Sequence, residues 1–71
     1  MSEMTKIWLT EMIHREIEQV NGSISNHRLW IHSSETEEEV EMFLTNIASL
    51  EDYKETLLRM KKKIEEGDFT V

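Results

Sequence analysis

Between Met4 and Val20 the apolar residues fall at Met4, Ile7, Trp8, Leu9, Met12, Ile13, Ile17 and Val20. On a wheel of 3.6 residues per turn, Trp8, Leu9, Met12, Ile13, Ile17 and Val20 cover about half the circumference, and Met4 and Ile7 lie outside that arc. The pattern predicts a long N-terminal helix, supported by Glu11 and Arg15, an opposite-charge pair one turn apart. Asn21-Gly22 predicts its end, because glycine readily takes the left-handed backbone that closes a helix. The arc is wider than one neighbouring helix can cover.

From Ser23 to Ser34, SISNHRLWIHSS, the apolar Ile24, Leu29, Trp30 and Ile31 follow neither a helical period nor strict alternation. This predicts a connector with one extended or helical turn, and a largely buried Trp30, since a polar segment rarely leaves an indole free. Ser33 or Ser34 then caps a second helix. Ser34-Glu35-Thr36-Glu37 sets a glutamate three residues after a hydroxyl, the arrangement of a capping box, and Val40, Phe43, Leu44 and Ile47 form the apolar face that follows. A second box, Ser49-Leu50-Glu51-Asp52, predicts a short break and a third helix. There Leu50, Tyr53, Leu57, Met60 and Ile64 repeat at alternating steps of three and four, a seam too short for a free-standing coiled coil and suited to bundle packing. Gly67 ends it, Asp68–Val71 is predicted to fray, and Met42 and Leu58 lie off these stripes. The predicted fold is all-α: a small three-helix chain, with a long N-terminal helix, a linker and two further helices, forming one domain over residues 1–71 and packing as a helical homo-oligomer.

Size supports self-association. With 71 residues and no cysteine, the chain has neither the core volume nor the disulfides that usually hold so small a domain, and a second subunit is the remaining stabiliser. Three histidines without a thiolate make a poor structural metal set. No stretch approaches the roughly 18–20 apolar residues of a membrane span. MSEMTKIW has neither the basic nor the apolar region of a secretion signal, so a cytoplasmic location is expected. Asn21-Gly22-Ser23 matches a glycosylation acceptor, but a turn is the better reading there. A net charge of −7 disfavours direct nucleic-acid binding, which relies on Lys and Arg, and favours basic protein partners.

The charge is uneven. Glu35, Glu37, Glu38, Glu39 and Glu41 form an acidic block, which helix capping and the helix dipole largely account for and which could also dock a basic partner. Arg59, Lys61, Lys62 and Lys63 form a basic run suited to a helix C-terminus. His27, Arg28 and His32 gather around Trp30, a combination of cation and indole that suits an anionic or aromatic ligand such as a nucleotide and also fits ordinary surface residues. Five methionines fit a core filler or an adaptable groove. No glycine-rich phosphate loop, thiol nucleophile or metal-binding helix motif is present. An enzyme is not expected, and neither a cofactor nor a catalytic or metal-ligating residue is assigned.

The run Arg28-Leu29-Trp30-Ile31-His32-Ser33-Ser34-Glu35-Thr36, continuing to Met42, Leu44 and Ile47, resembles small phage proteins that sequester the cyclic oligonucleotide messengers of CBASS-type bacterial immunity. About 20 of the 71 residues carry the resemblance. It implies a short helical chain that assembles symmetrically and holds ligand between subunits, with Arg28, Trp30 and Thr36 as ligand-binding positions, to which the residue pattern adds His32. Two functions follow as expectations. One is a phage or prophage counter-defence protein that sequesters a cyclic nucleotide signal as a homo-oligomer. The other is an acidic antagonist, an anti-repressor or inhibitor, covering a basic surface of a host protein. A purely structural subunit is the third.

Overall fold

A computed structural model describes residues 2–67. It contains two α-helices, α1 (Glu3–Ser33) and α2 (Glu37–Glu66), packed as a hairpin 51 Å long. The three-helix expectation is therefore corrected. The N-terminal helix does not stop at Gly22, the supposed linker is its C-terminal third, and the expected second and third helices are one.

The reason lies in a repeat that polar residues conceal. Along α1 the inward positions run Thr10, Ile13, Ile17, Val20, Ile24, His27 and Ile31, at steps of three and four throughout, and each is buried or half-buried. Gly22 sits on the exposed side of this helix, where it costs about 1 kcal/mol relative to alanine. That cost does not end the helix, because Val20 and Ile24 on either side are 3 % and 5 % exposed. Along α2 the same rhythm runs Val40, Phe43, Ile47, Leu50, Lys54, Leu57, Lys61 and Ile64, again all buried or half-buried. Ser49 is an exposed position within α2, with Ile47 buried and Leu50 half-buried beside it, and no break occurs there. The two sequences of steps are those of facing coiled-coil helices, sustained for more than three heptads.

Local chemistry fixes the ends. Ser2 caps α1, its hydroxyl accepting from the Thr5 N–H at 3.2 Å. Ser33 and Ser34, expected to open the next helix, instead close the first: both hydroxyls donate to the Trp30 carbonyl, at 3.1 and 2.7 Å. Thr36 is the N-cap of α2, its oxygen accepting from the Glu39 N–H at 3.2 Å. Thr36-Glu37-Glu38-Glu39 thus has the spacing of a capping box, two residues later than expected, although the Glu39 carboxylate reaches the Glu35 N–H, at 3.4 Å, and not that of the cap. Gly67 closes α2 in the left-handed region, at φ 75°, as expected. The expected fraying of Asp68–Val71 lies outside the described residues.

The core is one seam: Ile13, Ile17, Val20 and Ile24 against Ile47, Leu57 and Ile64, flanked by Leu9, Ile31 and Leu50. Two helices can surround little, and among the described residues the least exposed side chain of this core is Ile64, at 2 %. Several side chains of the predicted apolar stripes lie outside this seam. Trp8 and Met12 are 62 % and 48 % exposed, and Tyr53 and Met60, placed on the seam by spacing, flank it at 44 % and 37 %.

Candidate functional site

The turn end of the hairpin carries its main aromatic cluster. Trp30 on α1 lies 4.8 Å from the His27 ring and 5.7 Å from Phe43 on α2, both tilted, and His27 meets Phe43 edge-on at 5.9 Å. His27 and Trp30 adjoin because residues three apart share a helix face. His27 is held from both sides: Nδ1 lies 2.7 Å from the Ser23 carbonyl, and Nε2 lies 3.4 Å from the Asn46 side-chain nitrogen. A carbonyl only accepts, so Nδ1 carries the proton in this arrangement and Nε2 accepts from the Asn46 amide. The indole itself is 46 % exposed, not buried as its setting in the sequence suggested.

The other expected ligand-binding residues do not join it. Arg28 and Trp30 are two residues apart, about 200° around the helix, and face opposite sides. Arg28 points along the far edge of the hairpin, where its guanidinium lies 3.7 Å from the Glu51 carboxylate and helps line a shallow polar depression with Asn21, Ser25 and Lys54. His32, one turn beyond Arg28, is exposed in the last turn of α1. Thr36 sits in the connection, its hydroxyl oxygen committed to capping α2. Arg28, Trp30, His32 and Thr36 are thus dispersed over two faces and a turn, and no single chain grips a base and a phosphate with them at once. The acidic block surrounds Thr36: Glu35, Glu37, Glu38, Glu39 and Glu41 are all exposed, and the first three after the cap favour the positive end of the helix dipole.

The opposite, open end of the hairpin has its own feature. An open groove of about 320 Å³ runs between the helices, lined by Leu9, Met12, Ile13, Tyr53, Leu57 and Met60 among others. The Tyr53 hydroxyl donates to the Glu16 carboxylate at 3.2 Å and bridges the two helices. Partial desolvation first, then the Glu16 charge and hydrogen bond, raise the Tyr53 phenol above its ordinary value. Met12 also belongs to a second apolar hollow with Met4, Ile7 and Trp8, so the two surfaces are continuous. Sequence reading missed the roles of Phe43, Asn46 and Glu16. The signal was the pairing of His27 with Trp30 and of Phe43 with Asn46 at helical spacing, which becomes legible once the hairpin register is known.

Among the described residues, no three His, Asp or Glu side chains come together as a metal site, and no helix is long and apolar enough to cross a membrane. No family model, no curated protein and no solved structure matches the chain.

Proposed function

We propose that the chain is a non-enzymatic, cytoplasmic binding protein that acts by stoichiometric association with protein partners. The observation that carries this reading is the apolar surface outside a hairpin whose core holds seven buried side chains among the described residues. Trp8, Met12, Trp30, Met42 and Leu58 are each between 46 % and 62 % exposed. Exposed apolar residues in continuous patches mark surfaces made for association, and the apolar arc of the α1 half that carries Trp8 takes in about half the circumference, more than α2 alone covers.

A second reading, sequestration of a nucleotide messenger by a phage counter-defence protein, is favoured by the Trp30, His27 and Phe43 cluster, a half-open aromatic surface on which a base could stack. The separation of Arg28 from Trp30 weighs against it. Native mass spectrometry of the purified protein, alone and with a panel of cyclic nucleotides, tests the two together. Protein association without added ligand mass supports the first reading. Discrete uptake of a nucleotide, abolished by Arg28→Ala or Trp30→Ala with the fold intact, would replace it with the second.

A further inference from the structure

We infer that the partner of the apolar face is a second copy of this chain, packed antiparallel to complete a four-helix bundle; the inference rests on the protein-binding reading above. One face of the hairpin is built from two stripes at helical spacing. On α1 it runs through Met12, Glu16, Ser23, His27 and Trp30, and on α2 through Met42, Asn46, Ser49, Tyr53 and Met60. The bonds from Tyr53 to Glu16 and from Asn46 to His27 join the stripes edge to edge. The face is apolar at both ends and polar between them. Leu9, Met12, Tyr53 and Met60 occupy the open end, with Trp8 beyond them on the outer side of α1, and Trp30 and Met42 occupy the turn end. Met12, Trp30, Met42, Tyr53 and Met60 are each between 37 % and 53 % exposed, and with the polar residues between them they span the length of the hairpin, the extent that a stable interface of roughly 800 Å² per partner needs.

Charge selects the occupant's orientation. The turn end carries five glutamates between residues 35 and 41 and no base, whereas residues 51–66 balance five acids with five bases, four of the bases lying at 59–63. A parallel pair would set two acidic ends side by side. An antiparallel pair sets each acidic end against the basic run of the other copy, which opposite charges favour. With the long axes reversed and the faces together, α1 lies on α1 and α2 on α2. Met42 of one copy then meets Met60 of the other, and Trp30 of one lies toward Leu9 and Met12 of the other. Apolar ends cover apolar ends, and the polar middles meet. A two-helix hairpin with so small a core needs a stabilising neighbour wherever it is made, and the one always present is its own second copy.

The sequence has no cysteine, so introduced thiols report the arrangement cleanly. Met42→Cys and Met60→Cys are made in separate chains, both at exposed positions, mixed in equal amounts and oxidised gently. Sedimentation of the unaltered protein at micromolar concentration should give a dimer, and the disulfide between the two different variants should dominate, since bridging needs Cα atoms within about 7 Å. A dimer that yields only like-with-like disulfides overturns the antiparallel packing. A monomer that takes up no nucleotide overturns the dimer and leaves the protein-binding reading standing. A monomer that binds nucleotide overturns both.

Discussion

Gly22 and Gly67, the two glycines of the chain, serve the helices in opposite ways. Gly22 lies mid-helix with open space where a Cβ would stand. Gly22→Ala should therefore stabilise the protein by about 1 kcal/mol, raising the melting temperature by several degrees. Gly67 holds φ 75°, which a side chain strains, so Gly67→Ala should cost about 1 kcal/mol. Circular dichroism melts that shift both variants the same way would contradict these assignments. Tyr53, the only tyrosine, gives a third test. Its phenol titrates above its ordinary value of 10.0 in the folded chain. The unfolded chain therefore releases that proton first, and the stability that Tyr53 contributes is present below about pH 10 and lost as pH rises through the folded value. Alkaline melts of Tyr53→Phe should show a shallower fall than the wild type above that pH, and parallel curves would mean that the Glu16 contact is not maintained. At this scale much was legible: the αL role of Gly67, the inward Ile13, Ile17 and Val20, and the importance of Leu57. The exposure of Trp30 was not, because burial depends on how many neighbours surround a residue.

The helices themselves were half-legible. Apolar stripes marked helix wherever they were unbroken, but the hairpin seam passes through Thr10, His27, Lys54 and Lys61. A reading based on hydrophobicity loses the rhythm at each of them. Lysine tolerates such positions because its stem packs while its ammonium reaches water; Lys61, 32 % exposed, pairs with Glu65 at 4.0 Å. Glycine and serine then supplied apparent stops at 22 and 49 that a continuous seam overrides. The expected ligand site dispersed for the same reason: with 23–33 helical, Arg28 and Trp30 must diverge. Leu57 and Leu58 test the seam directly, being 6 % and 46 % exposed. Leu57→Ala should cost about 2–5 kcal/mol through lost burial and the cavity left behind. Leu58→Ala should cost well under half as much. Equal melting temperatures for Leu57→Ala and the wild type would place the core elsewhere.

At the scale of the whole molecule, a dimeric bundle predicts that the melting temperature rises with protein concentration, since dissociation accompanies unfolding. It also predicts a charge-swap result. Glu38 and Lys63 lie at opposite ends of α2, toward the outer margins of the proposed interface. Lys63→Glu should weaken the dimer on the order of tenfold, as two symmetric contacts turn repulsive, and Glu38→Lys added to it should restore most of the loss. Sedimentation of the two variants decides this, and an unchanged constant in the single variant would remove the electrostatic argument for orientation. The connection between the helices, residues 34–36, has a mechanical consequence as well. It leaves the start of α1 and the end of α2 beside each other. A force applied to those two ends meets the seam one layer at a time, from Leu9 and Ile64 toward Ile31 and Phe43. Each layer resists alone, so the rod opens like a zip under light load.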